Sequence, residues 1–345
     1  MERTKAKSPK ATQAYGLVET LQERFVQKLE SISRSMGQDQ SFEAREWFRD
    51  QGEYGGGIRY LATDEQTFNR ASVNISQVNY DSNPDKKLGS ASAISTIVHP
   101  KNPHAPSVHI HISWTEMKTG KGYWRVMADL NPAIPNPDFK ARFVECMQQA
   151  APEQYEEASA QGDRYFYIPA LERHRGVTHF YLEDYATDDE AADFALAQTF
   201  GEAVIDCYAD ILQQAVKEQA NPASEDYEQQ LAYHSLYLFQ VLMLDRGTTS
   251  GLLVHDQNDV GILGSLPKHV SRSLLTSWQQ TLQTPQDQLL NGILNALPTE
   301  DPCLVDEPTK KRLADCVRHH YKTHPEALSL QARGNVIPPT VQNHG

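Results

Sequence analysis

The sequence predicts an α+β fold built on an antiparallel sheet, and three observations carry that prediction. Several segments between residues 58 and 130 alternate apolar and polar residues, imperfectly in places, with the two-residue period of strands. Before and after that stretch, apolar residues recur every three to four positions, as they do on amphipathic helices. Glycine- and proline-containing turns separate the alternating segments, so consecutive strands read as neighbours.

Taken in order, residues 13–34 place Val18, Leu21, Phe25, Leu29 and Ile32 on one helical stripe amid Glu, Gln and Lys. "QGEYGGGIRYLA" follows, its three glycines reading as a tight turn ahead of a strand. "ASVNISQVNY" is a second strand, with Val73, Ile75 and Val78 apolar, and "DSNPDKKLGS" a surface loop. "SAISTIVHP" and "VHIHISWTE" are strands joined by a Pro-rich turn, and "GYWRVMADL" is the next. Residues 138–160 and 188–219 read as helices, with the short strand "VTHFYLEDY" between them. "LYLFQVLMLDRGTTSGLLV" and "DVGILGSLP" read as two buried strands, the Asp of "DRG" holding a turn. Beyond Pro267, helical pieces such as "LLTSWQQTLQ" and "QDQLLNGILNAL" alternate with proline breaks. The chain therefore divides into a main domain over 1–275 and a helical extension over 276–345. The stripe Leu289, Leu290, Ile293 and Leu297 predicts that the extension packs on the main domain or across a dimer. The tail "GNVIPPTVQNHG" has the composition of a disordered segment.

Composition narrows the function classes. The 345 residues carry a formal charge of −13, with 39% hydrophobic residues, enough apolar material for a large core. The acidic balance, without a basic patch interleaved with aromatics, argues against a nonspecific nucleic-acid binder. No apolar run approaches the roughly 20 residues of a membrane span, and "MERTKAKSPKATQ" lacks the apolar segment of a secretory signal. A cytoplasmic location is the expectation. Cys146, Cys207, Cys303 and Cys316 are widely spaced, which fits neither a zinc ribbon nor a disulfide scaffold.

One strand carries candidate chemistry. In "APSVHIHISW", His109, His111 and Ser113 line one face while Val108, Ile110 and Ile112 fill the other. Phosphate-cradling glycine motifs, a Gly-x-Ser-x-Gly elbow and a His-Glu-x-x-His pair are all absent from the sequence. Cys316, His320 and His324 recur at helical spacing with no fourth ligand suggested, which reads as a polar helix face.

The segments "GGGIRYL", "FNRASVNISQV", "SAISTIVHPKNPHAPSVH", "ADLNP", "RGVTHFYLEDY", "DRGTTSGL" and "ILGSLP" stand in an order that resembles the oxygen-dependent coproporphyrinogen III oxidases. The resemblance covers roughly residues 42–268, and its most specific part is His-Pro-x-Asn-Pro-x-x-Pro-x-x-His from His99 to His109. It implies a broad antiparallel sheet with helices on both faces, normally a homodimer. It also implies an oxidoreductase of porphyrin biosynthesis that needs no organic cofactor. In that chemistry O2 is co-substrate, two propionates of a tetrapyrrole become vinyl groups by oxidative decarboxylation, and CO2 and peroxide are released. By the same resemblance Ser95 contacts substrate, His109 donates a proton and Asp129 grips pyrrole N–H groups. Arg175, Asp184, Asp245 and Arg246 also fall on matching positions.

The departures fall among the binding positions. His111 and Ser113 stand where the family has Asn and Arg, and His255, Asp256 and Gln257 where it has Gly-Gly-Arg. Phe239 and Val241 replace a Glu and an Asn, and two further family histidines are missing, one of them at Ala170. A serine cannot replace the bidentate carboxylate clamp of an arginine. The expectation is a divergent oxygen-dependent oxidase or decarboxylase with a smaller or less anionic substrate. An orthodox coproporphyrinogen III oxidase and a noncatalytic tetrapyrrole-binding protein are the alternatives. His109 and Asp129 are the expected catalytic pair; Ser95, His111, Ser113, Arg175, Asp245, Arg246, His255 and Gln257 are the expected substrate contacts. The strand geometry would also let His109 and His111, with His99 or Asp129, reach one iron or manganese ion. Cofactor-free chemistry in the family weighs the other way, so the primary expectation for His109 is acid–base work.

Overall fold

The alternating segments between residues 58 and 130 become the centre of a seven-stranded antiparallel sheet in a computed structural model that describes residues 2–39, 42–218 and 221–344. Its strands are β1 (Phe42–Phe48), β2 (Gly55–Ala62), β3 (Phe68–Asn79), β4 (Leu88–Pro100), β5 (Ser107–Met117) and β6 (Gly122–Asn131). The short ribbon of β7 (Tyr167–Ile168) and β8 (Arg173–His174) precedes the seventh sheet strand, β9 (Thr178–Tyr185). The sheet order is β1-β2-β3-β4-β5-β6-β9, so each strand of the sheet lies beside the next.

Period-two patterning gives the sheet two unlike faces. Val73, Ile75, Ile94, Val108, Ile110, Ile112, Val126 and Phe180 belong to one buried core with two long helices, α1 (Pro9–Ser35) and α4 (Glu190–Glu218). Pro9 opens α1 directly after Ser8, whose hydroxyl accepts from the Ala11 N–H, an arrangement that favours helix initiation. The single helix expected over 138–160 is two, α2 (Pro137–Ala150) and α3 (Tyr155–Phe166), broken at a turn containing Pro152. The expected helix over 188–219 matches α4; Gln219 lies outside the described residues.

Two readings are corrected on the other face. The run "LYLFQVLML" is not a strand but the end of α5 (Ser224–Met243), and the segment after it is α6 (Arg246–Val254) and α7 (Asp259–Ile262). Helix α5 lies between the sheet and a second helical layer, which buries Leu236, Tyr237, Leu238, Phe239, Val241, Leu242 and Met243 on all sides. A helix buried all round loses its period and looks like a buried strand. The glycines at 55–57 are likewise not a turn but the start of β2, between β1 and β3. Gly56 has φ +150, and a Cβ there would stand 2.2 Å from the Trp47 carbonyl oxygen, so only glycine fits.

Past Pro267 the chain forms α8 (Arg272–Ser277), α9 (Gln286–Ala296) and α10 (Glu307–Thr323), with a two-strand ribbon of β10 (His269–Val270) and β11 (Cys303–Leu304). Leu289, Leu290, Ile293, Leu313 and Val317 share one core with α5. The final segment, where composition suggests disorder, ends in α11 (Thr340–His344). There the Tyr80 hydroxyl meets His344 Nδ1 at 2.9 Å, and the Lys86 ammonium donates to the His344 carbonyl. Few apolar side chains are buried along this segment. Deleting residues 334–345 should therefore lower the melting temperature by no more than about 5 °C in calorimetry. Loss of the cooperative transition would show instead that the tail belongs to the main core.

Candidate active site

The face of the sheet turned away from α1 and α4 carries the polar half of each alternating strand. Register aligns these residues in rows: Asn74, Ser95, His111, Met127 and Tyr181 form one, and Ile97, His109, Asp129 and His179 the next. Ser113 and Arg125 are direct cross-strand partners in a third. Above the rows lies a cavity of about 250 Å3, covered by Tyr165 of α3, Tyr237 and Val241 of α5, and residues of α6 and α7. His109 and His111 of the predicted strand face thus lie in the floor of this cavity.

His109 is the half-exposed member of a buried polar chain. Its Nδ1 donates to Asp129 Oδ1 at 2.8 Å. Asp129 Oδ2 accepts from Arg175 Nη2 and from Asn131 Nδ2, both at 2.7 Å. The Arg175 guanidinium lies against the rings of Phe166 and Tyr237 and also donates to Gln240. Burial by itself would push the Asp129 carboxyl up; Arg175 and then His109 outweigh it and hold the group well below the usual carboxylate range. Asp129 is therefore an anion that fixes which nitrogen of His109 carries the proton. His109 Nε2 has no partner among the described residues and belongs to the cavity lining. An imidazole held by one nitrogen and open at the other can pass a proton to or from a bound molecule.

Not every expected contact sits in this cavity. Ser95, His111, Arg175, Asp245 and His255 line it, and Ser113 lines a smaller adjoining pocket. Asp245 caps α6 by accepting from the Thr248 N–H, and it also accepts from the Tyr165 hydroxyl at 2.9 Å. Arg246 turns away, donating to the Leu328 and Ala332 carbonyls. Gln257 is exposed and bonded to Asp50, outside the cavity. Asp129 is fully buried, and protein groups engage both of its oxygens. Asp184 is exposed at φ 55.

The three histidines considered as metal ligands do not converge. His99 is fully buried beside Tyr233 and Tyr237, its Nε2 donating to the Ser265 carbonyl and its Nδ1 meeting the Ser107 hydroxyl. His111 Nε2 is 3.1 Å from Ser113 Oγ. Among the described residues no group of three or more His, Cys, Asp or Glu is placed to hold a metal ion. His320 of α10 meets Gln286, and His324, just past its end, meets Glu326 while its ring packs on that of His320.

Some residues of the site escape the sequence reading. Arg125, Tyr165 and Tyr237 all line the cavity, and Glu183 lies beneath Arg125. Arg125 was within reach of the pattern: counting back from Asp129 by twos gives Met127 and Arg125, on the same face. Tyr165 and Tyr237 come from helices, and no local spacing in the sequence ties them to the sheet.

Burial also makes the site sensitive to acid. His99, His111 and His234 are held below the ordinary histidine range chiefly by burial, His234 being pushed down to about 3. The Nε2 of His234 is buried without a partner. Such histidines are neutral in the folded chain but take up protons in the unfolded chain below pH about 6.5. Their contribution to stability is present above that pH and is lost as pH falls toward 3. The melting temperature should fall steeply across this window, and His234→Leu should flatten the fall. An unchanged slope in His234→Leu would remove His234 from the account.

A family model described as coproporphyrinogen III oxidase matches residues 13–297. The mitochondrial oxygen-dependent coproporphyrinogen-III oxidase of Rattus norvegicus is 28% identical over 281 residues, covering 74% of this chain and 61% of that protein. The oxygen-dependent coproporphyrinogen-III oxidase of Rickettsia akari is 31% identical over 238 residues, covering 65% of this chain and 82% of that protein. The match thus spans about three fifths of the rat relative's length. Among the described residues no helix is long and apolar enough to cross a membrane.

Proposed function

This chain belongs to the coproporphyrinogen III oxidase family, and we propose that it is an oxygen-dependent oxidase with a substrate altered from that of its named relatives. The reaction proposed is oxidative decarboxylation of a carboxyalkyl side chain on a reduced pyrrole. A CH2–CH2–COOH arm and O2 give a vinyl group, CO2 and H2O2, two protons and two electrons passing to oxygen. No organic cofactor enters. His109 Nε2 supplies or removes the proton at the substrate, while Asp129 and Arg175 hold the ring in place.

The observation that carries this reading is the open Nε2 of a histidine fixed from behind by a buried carboxylate, on the wall of a cavity. The altered substrate is supported by the lining. Ser72, Asn74, Ser76, Ser95 and Thr96 are neutral, and among the described residues two arginines line the main cavity, each paired with a carboxylate. A molecule with four propionates needs more cationic partners than this. The test is incubation with coproporphyrinogen III in air and under nitrogen, following CO2, peroxide and vinyl product. Turnover should require O2 and be weak, since each missing charge-assisted contact costs roughly thirty-fold in affinity. Efficient, saturable conversion would restore the orthodox substrate; O2-independent conversion would remove the oxidase reading.

A further inference from the structure

Resting on the reading of this cavity as the substrate site, we propose that Arg125 is its carboxylate anchor and that the substrate presents one carboxylate to it. Three observations lead there. Arg125 projects from β6 onto the polar face, and its side chain lines the main cavity and two smaller pockets adjoining it. It is tethered at one end only: Nε donates to Glu183 Oε2 at 2.6 Å, and the Tyr181 hydroxyl fixes the same oxygen. The two terminal nitrogens have no acceptor among the described residues, and neither is buried from solvent. A guanidinium held by Nε presents those two nitrogens as a fork matched to a carboxylate.

Competition for that fork is small. Glu183 is fully buried beneath Arg125. Asp245, the acidic residue that lines the main cavity, has its oxygens engaged by Tyr165 and Thr248. Arg175, the other arginine of that lining, is committed to Asp129 and Gln240. Between Arg125 and the His109 row, the floor carries His111 and Met127. His109 and Ser113, the partner of Arg125, stand four steps apart along β5, roughly 13 Å at strand rise. The ligand class that fits is a reduced pyrrole compound whose anchored carboxylate lies at one end and whose reacting arm reaches His109 at the other.

The test uses a dipyrromethane carrying a single propionate, and its methyl ester, titrated calorimetrically against the full chain under nitrogen. Wild type should bind the acid roughly thirty-fold more tightly than the ester, the worth of one charge-assisted contact. Arg125→Met should bring that ratio near one, and Arg125→Lys should leave it in between. Because Arg125→Met leaves Glu183 buried without its cation, an exchange variant, Ser113→Arg with Arg125→Ser, returns a guanidinium from the neighbouring strand and should restore the preference for acid. An acid-to-ester ratio near one in wild type, or one unchanged in Arg125→Met, overturns the anchor while ligand binding itself upholds the site. Failure of wild type to bind either compound overturns the pyrrole site along with it.

Discussion

Replacing Asp129 with alanine should lower the unfolding free energy by about 3–5 kcal/mol, because it strands a buried cation. Arg175 is 1% exposed, its guanidinium lies against Phe166 and Tyr237, and Asp129 is its ion-pair partner. Water cannot replace that carboxylate without opening the sheet face. The cost therefore reflects an uncompensated charge more than a lost hydrogen bond. Arg175→Met should cost a similar amount, since the Asp129 anion would be left with His109 and Asn131 alone. Removing both charges together should cost clearly less than the sum of the single losses. Urea unfolding of the two single variants and the double variant measures this directly. Additive losses would mean the pair is not coupled and that Asp129 matters only for local packing.

That buried pair also marks where the sequence stops being legible. The sheet strands from β2 to β6 and β9 could be read because each has one apolar and one polar face, and the alternation survives in the residues. The edge strand β1 could not: most of its residues are exposed, so "FEAREWF" carries no clear two-residue pattern. Helix α5 was legible as buried but not as a helix, since Leu236 to Met243 meet apolar neighbours on every side. Length was the remaining clue, and the polar first half of α5 concealed it.

The site divides in the same way. Pairing of His109 with Asp129 follows from register, and both residues stand in segments that resemble the family. The arginine is different. Comparing position with position registers Ser113 as the loss of a cation, whereas the ladder sets Arg125 directly across from it. A charge can thus move to the neighbouring strand and keep nearly the same place in space. Gln257 fails in the opposite sense, for it falls on a matching position yet bonds to Asp50 outside the cavity.

His109→Ala should reduce kcat/KM for O2 uptake by roughly 10²–10⁴-fold while leaving the melting temperature within a few degrees of wild type. The two effects separate because of how the ring is held. His109 borders the existing cavity, so its loss widens that space rather than opening a new void, and Asp129 keeps Arg175 and Asn131 as partners. Among the described residues its Nε2 has no partner, and it belongs to the cavity lining. Ser113 already engages His111, and burial together with Arg125 keeps His111 below the ordinary range. His111→Ala should accordingly cost far less, and should raise KM more than it lowers kcat. Both variants, assayed with coproporphyrinogen III, should behave the same with and without a chelator. If His109→Ala keeps wild-type turnover, the proton passes elsewhere and the assignment of His109 fails. If chelation abolishes activity and both variants lose a bound iron or manganese, the two histidines serve a metal, and the acid–base reading gives way to that one.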